Sequence, residues 1–371
     1  MPRVAAAHKR NATTATPPAT APRIEAMPAT ALNRSLTAEL TADLTADLTA
    51  TSGSTVPVIA PFTGDVLHEL PESTAVDVTD AYAAARIAQA AWRAAGPNHR
   101  RRVLLKAHDL LIARREELLD ILQWETGKTR GQAFEEAFQG AAVTRYYAVY
   151  AKRVLKTRGR RGGIPTIVST RVSYEPKGTI GVITPWNYPL SLSLMDVIPA
   201  LAAGNAVVQK ADNQAALNIL ASRRAFIDAG VPAALRAVVA GPGEEIGNAV
   251  VDGADYVCFT GSTPTGTRVG ERAAKLLHGA SLELGGKNPL IVLDDANPAQ
   301  AAANAVYAVI SSMGQLCVSI ERIYVQRAVA EKFTTALVER MRAIRQGAAF
   351  DFSTDAGSLT SQAQLERLQA Q

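Results

Sequence analysis

Cys317, Asn187 and Glu283 are three side chains whose types could share one covalent reaction. A thiol that has lost its proton attacks an electrophilic carbon, an amide N–H holds the negative oxygen which that attack creates, and a carboxylate takes a proton from water. Cys317 lies in GQLCVSIERIYV (314–325), after a small Gly314-Gln315 pair and before the β-prone Ile323-Tyr324-Val325. A loop there could present a thiol, although a cysteine leading into a buried strand can equally be a small apolar residue that packs. Asn187 stands between prolines in TPWNYP, a rigid frame for an amide donor and also an ordinary place for a turn asparagine. Glu283 precedes Gly285-Gly286 in LELGGKNP, either as a general base beside closely approachable backbone or as a surface glutamate at a strand end.

A second kind of chemistry is suggested by FTGSTPTG (259–266). The stretch follows a strand and should open a helix, whose free N–H groups and positive dipole end suit a phosphate. Gly261 allows the tight turn and Ser262 offers a hydroxyl, but strand ends are often glycine-rich for geometry alone. GPGEEIG (241–247) departs from a dinucleotide fingerprint: its third glycine comes one place late, and Glu244 and Glu245 would repel phosphates. It reads as a turn and a helix start.

The elements that must position these residues follow from periodicity. Residues 75–157 carry apolar positions spaced three and four apart, the mark of long helices. TIGVITP (179–185), NAVVQK (205–210), RAVVAG (236–241), ADYVCFTGS (254–262) and NPLIVLDD (288–295) read as strands, separated by helical segments such as 214–229. Strand and helix in alternation predict an α/β, doubly wound parallel sheet with ligands at the carboxyl ends of its strands. Cys258, inside DYVCFTGS, reads as a buried strand residue. Residues 1–52, rich in Ala, Thr and Pro, read as a disordered low-complexity tail. Within it LTAELTADLTADLTAT would align Leu36, Leu40, Leu44 and Leu48 along one side of any helix, which the repeated threonine weakens. A mitochondrial or plastid transit peptide over 1–34 is the alternative.

Composition narrows the partners. With 371 residues, 47% hydrophobic and 20% charged, the chain can bury a full catalytic cleft. The net charge of +5 is spread among acids, and the local basic runs at 99–102 and 156–161 carry no interleaved stacking aromatics, which argues against nucleic acid. The cysteines, Cys258 and Cys317, form no disulfide framework and fit a reducing, cytoplasmic compartment. Histidines at 8, 68, 99, 108 and 278 lack metal-ligand spacing, and no apolar stretch approaches the roughly 18 residues of a membrane span.

From about Val56 the chain resembles the NAD(P)-dependent aldehyde dehydrogenase superfamily, through PWNYPL, PALAAGNAVVQK, FTGSTPTG, LELGGKNP and GQLC in the family's order. It is similar in particular to succinate-semialdehyde dehydrogenases of the actinobacterial second type, on YEPKGTIGVITPWNYPL and GQLCVSIERIYV. The resemblance implies the aldehyde dehydrogenase fold: a Rossmann-like cofactor domain over 53–160 and 176–288, oligomerisation strands over 161–175, and an α/β catalytic domain from 289. It implies that Cys317 attacks the aldehyde, that Asn187 and the Cys317 N–H hold the oxyanion, and that Glu283 activates water to release a free acid. Coenzyme-A-using relatives generally lack that base. For the cofactor it implies Trp186, Lys210, Asn213, Gly261, Ser262, Gly266, Leu284 and Gly285. Members preferring NAD often carry a glutamate where this chain has Asn213, so the expectation is NADP, with NAD as the alternative.

The pattern is also broken. After AFDFSTDAGSLTSQAQLERLQAQ the chain stops, short of the family's E-x-F-G-P motif, its later strands and the arm that completes a homo-oligomer. The catalytic domain is therefore expected to be truncated at 371. Ala211 replaces a usual proline, and LSLSLMDVIPAL lacks the arginine with which some members anchor a substrate carboxylate. Two readings stand: an enzyme oxidising a small aldehyde, or an inactive remnant that binds dinucleotide or an intact subunit.

Overall fold

Leucine at every fourth position from 36 to 48 decides how the described chain begins. The computed structural model describes residues 36–164 and 167–370. Ala38–Thr45 form α1, with Thr37 at its start accepting from the Leu40 N–H (3.1 Å). Leu44 and Leu48 are buried and Leu36 and Leu40 partly so, while Arg224 donates to the Asp43 carbonyl (2.7 Å). The expectation of a disordered tail is thus corrected for residues 36–52. Burial of the leucine stripe outweighs the poor helix propensity of threonine. The rest of that expectation, and the transit-peptide alternative, fall on residues 1–35, outside the described residues. An antiparallel hairpin follows, β1 (Thr55–Ile59) and β2 (Val66–Pro71), which periodicity did not reveal.

Long helices come next, as the spacing of apolar residues predicts: α2 (Ala75–Ala94), α3 (Gly96–Ala113), α4 (Arg115–Thr126) and α5 (Arg130–Val154). Thr74 with Asp77 and Thr129 with Gln132 form capping boxes that start α2 and α5. The layer is fastened to the sheet domain by buried polar contacts, Tyr82 donating to the Val250 carbonyl (2.7 Å) and the Trp92 indole to the Leu201 carbonyl (2.8 Å). A short exposed hairpin, β3 (Arg158–Arg160) and β4 (Thr170–Val172), lies between the helices and the sheet in sequence.

The sheet is parallel and built from β5 (Thr179–Ile183), β6 (Ala206–Lys210), β7 (Arg236–Val239), β8 (Tyr256–Thr260) and β9 (Gly279–Glu283), in the order β7-β6-β5-β8-β9. Its crossovers include α6 (Pro189–Ala203), α7 (Ala216–Ala229), α8 (Gly243–Gly253) and α9 (Thr263–Lys275). Strands β6 and β7 are buried throughout because helices cover both faces, whereas the edge strand β9 is mostly exposed and carries too little apolar residue to be read as a strand. The chain winds from β5 to one edge and returns to its other side for β8. That reversal puts a switch point between the carboxyl ends of β5 and β8.

A smaller parallel pair follows, β10 (Asn288–Val292) and β11 (Ile320–Val325), connected through α10 (Pro298–Ile310). Val292, Ala302, Ala305, Val329 and Phe333 form its core, with Phe333 on α11 (Arg327–Arg342). A last helix, α12, spans Gln362–Gln369. Among the described residues no helix is long and apolar enough to cross a membrane, and no cluster of His, Cys, Asp and Glu could hold a metal.

His68 on β2 is buried, and burial pushes its ring down to about 4. The unfolded chain therefore takes up a proton from about pH 6.5 downward while the folded chain resists it, so stability is lost as pH falls towards 4. The full shift corresponds to about 3 kcal/mol. The variant His68→Leu is expected to lose less melting temperature between pH 7 and pH 4.5 than the parent chain, measured by circular dichroism.

Candidate active site

The carboxyl ends of β5, β6, β8 and β9 carry most of the residues singled out from the sequence. After β5 the Thr184 N–H donates to the Lys210 carbonyl (3.1 Å), which holds the two strand ends level, and the half-buried Trp186 and Asn187 follow. Lys210 ends β6 at 9% exposure. Burial pushes its ammonium below the usual lysine range, opposed by the Asp212 carboxylate. Asn213 Oδ1 accepts from the Gly241 N–H (2.9 Å) and so links the loops after β6 and β7.

After β8, Gly261 donates its N–H to the Glu283 carbonyl (3.0 Å), and Ser262 caps α9 through the Thr265 N–H. No acidic residue occupies the first turn of α9, so its positive end is unopposed. A Cβ on Gly266 would lie 2.3 Å from Leu284 and 3.2 Å from the Phe259 ring. A side chain there would displace the Leu284 methyl and press on the Phe259 ring, so glycine lets this helix start settle closely on the segment that follows β9. Gly285, next along, has open space around it, and the Glu283 side chain is exposed.

Cys317 enters from the smaller sheet. Its loop, 311–319, is bent sharply: Ser312 (φ 48°), Met313 (φ 55°) and Gly314 (φ 78°) are all left-handed, a conformation that costs each non-glycine residue about 1–2 kcal/mol. Side chains from both sheets hold it there. Asn187 Nδ2 donates to the Gln315 carbonyl (2.8 Å), and Asn288 Nδ2 donates to the carbonyls of Cys317 (2.7 Å) and Ser319 (3.0 Å). The Cys317 side chain is exposed, so the reading of it as a packed strand residue is not what the structure has. Cys258, by contrast, is half-buried in β8 with its thiol pushed up to about 12, first by burial and then by Asp196.

The aldehyde dehydrogenase family profile matches residues 48–371. The chain belongs to that family. Over 305 residues it is 47% identical to the Mycobacterium tuberculosis protein named "Putative succinate-semialdehyde dehydrogenase NADP(+) 2", covering 82% of this chain and 59% of that one. The chain thus spans about three-fifths of the length of such relatives. Among solved structures, an E. coli NADP-dependent enzyme superposes with a TM-score of 0.84 at 31% identity, over 86% of this chain and 67% of that one. An NAD-dependent benzaldehyde dehydrogenase from Corynebacterium glutamicum gives 0.81 at 36% identity, over 86% and 70%.

Within this member of the family, Asp196 is a residue that sequence reasoning missed. Its carboxyl is pushed up to about 6, first by burial and then by the charge of Glu283. The available signal was its isolation: Asp196 is the one charged residue in PLSLSLMDVIPALAA, the sequence of α6. A lone acid on an otherwise apolar helix needs a reason to be there.

The Asn288 anchor can be checked directly. Removing it leaves two partly solvent-accessible loop carbonyls without their donor, a loss of about 0.5–1.5 kcal/mol. Asn288→Ala is expected to speed limited proteolysis within 311–319 about two- to tenfold when cleavage follows the open population. Cleavage elsewhere should be unchanged.

Proposed function

We propose that the chain oxidises a small aldehyde, succinate semialdehyde foremost, to the free carboxylic acid with an NAD(P) cofactor. The observation that supports this most is the bond from Asn187 Nδ2 to the carbonyl of Gln315, two residues before Cys317. It ties an amide donor at a sheet's ligand-binding edge to the loop that bears an exposed thiol. An asparagine amide has two N–H groups, so one remains for a reacting oxygen while the other holds the loop.

In this reading the Cys317 thiolate attacks the carbonyl carbon; a C–S bond forms and the C=O π pair moves onto oxygen. The free N–H of Asn187 and the Cys317 backbone N–H take that oxyanion. A bound dinucleotide supplies the acceptor for the hydride that leaves the former aldehyde carbon. Glu283 then accepts a proton from water as its oxygen attacks the resulting thioester, the C–S bond breaks, and acid and thiolate are released.

The residues fit such a cofactor. Trp186 and Lys210, after β5 and at the end of β6, would border the dinucleotide. The N-terminal amides of α9, with Gly261, Ser262 and Gly266, suit phosphate, and we assign Leu284 and Gly285, just after β9, to the same cofactor. Position 213 is asparagine, which offers no charge against a 2′-phosphate, and this favours NADP over NAD. The naming of the mycobacterial relative supports both the cofactor and the substrate. On this reading 53–160 and 176–288 bind the dinucleotide and residues from 289 supply the nucleophile. The exposed β3–β4 hairpin offers an edge to a second copy, and a reducing cytoplasm keeps the thiol reactive.

The purified 371-residue chain is expected to reduce NADP in the presence of succinate semialdehyde, followed at the absorbance of the reduced cofactor. Cys317→Ala should abolish turnover while dinucleotide binding persists. A folded parent chain that binds NADP without Cys317-dependent turnover would instead support the inactive remnant.

A further inference from the structure

The amide of Asn187 is held by residues from another layer of the fold. Helix α6 starts one residue after Tyr188, and no side chain at its own start caps it. The cap comes from α5, 54 residues earlier: Glu136 accepts from the Leu190 N–H at 3.0 Å and, with the same oxygen, from the Ser191 N–H at 3.2 Å. Its other oxygen accepts from the Lys128 ammonium, and both side chains are wholly inaccessible to solvent. That ammonium also lies 3.6 Å from the centroid of the Tyr188 ring. The pair therefore grips Tyr188 by its ring and the first turn of α6 by its amides.

Stability alone does not call for charge here. A neutral side chain caps a helix well, and a buried ion pair is often no more stable than a neutral, well-packed replacement. What charge adds is a strongly oriented contact at low dielectric. The Tyr188 phenol is raised above its usual range, chiefly by burial and next by Glu136 and Glu135, and Cys317 is among the smaller causes. Tyr188 thus carries the contact from the ion pair to the residue next to Asn187. We propose that the Lys128–Glu136 pair is a positioning device for the oxyanion amide of Asn187, fixing the Tyr188 ring and the first turn of α6 so that Nδ2 faces the thiol loop in one orientation. The proposal rests on the reading of Asn187 as the oxyanion donor.

The test uses the full chain with three changes: Glu136→Gln, the neutral pair Lys128→Met with Glu136→Gln, and Asn187→Ala. Acyl transfer from p-nitrophenyl acetate requires the thiol and the oxyanion donor but no dinucleotide. Hydrogen exchange over 186–191 and 313–317 reports the positioning without any chemistry. The neutral pair, which keeps volume and cap, is expected to retain its melting temperature yet lose about tenfold in acyl transfer. Its exchange at 313–317 should rise. On an Asn187→Ala background the same charge removal should change the rate by less than about twofold, because both changes act through one amide. Parent-like acyl transfer with unchanged exchange at 313–317 would overturn the proposal, as would a rate loss fully additive with Asn187→Ala. Should the parent chain show no Cys317-dependent acyl transfer, the reading of the site fails, and exchange alone decides: a rise at 313–317 supports the positioning role and its absence refutes it.

Discussion

The hydrogen bond from Asn187 Nδ2 to the Gln315 carbonyl, 2.8 Å long, joins the five-stranded sheet to the loop of the smaller one. The site proposed above depends on that span, because the strand ends bearing Lys210 and Glu283 and the loop bearing Cys317 belong to different sheets. The bond is itself supported from behind. The Gln315 side chain accepts from the Thr360 N–H (3.1 Å), and Thr360 donates to the Thr126 carbonyl (2.9 Å) at the end of α4. There Gly127 is left-handed (φ +74°), and a Cβ on it would lie 2.3 Å from the Ser358 hydroxyl. The segment around Ser358 can pack so closely only because that residue is glycine. Lys128 is the next residue, so one turn anchors both the loop and the ion pair beneath Tyr188.

Charges in the interior follow a common rule in this fold. Helices α6 and α7 both start without a side-chain cap of their own. Both borrow a buried glutamate from the helical layer. Glu136 serves α6, while Glu125 serves α7 by accepting from the Leu217 N–H (2.7 Å), the Asn218 N–H (3.0 Å) and the Asn218 amide (2.7 Å). Burial raises Glu125 to about 8 against those donors, whereas Glu136 has a lysine beside it. The difference matches their places. Glu125 caps α7, and Glu136 caps the helix that begins two residues after Asn187.

Much of this was legible in the sequence. Strands β5 to β8 are apolar runs ended by glycine or polar turns, so periodicity located them, and the motifs at their carboxyl ends marked the candidate residues proposed above. The misses have physical causes. Strand β9 is an exposed edge that carries little apolar signal, and the helix at 38–45 gains its stability from burial on α7 that no local propensity encodes. Asp196 was visible only as an isolated acid. The Lys128–Glu136 pair was not visible at all, since Glu136 looks like an ordinary member of an amphipathic helix and Lys128 like a turn residue until the fold brings α5 against the start of α6.

The central claim, that Cys317 becomes acylated and Glu283 releases it, is tested most directly by trapping the acyl-enzyme. Glu283→Gln would be mixed with succinate semialdehyde and NADP, quenched in acid, and digested for peptide mass spectrometry. The account predicts a succinyl thioester on the peptide containing Cys317, accumulating in the variant and scarce in the parent chain. An unmodified Cys317 peptide in folded, NADP-bound protein, or acylation confined to Cys258, would contradict it.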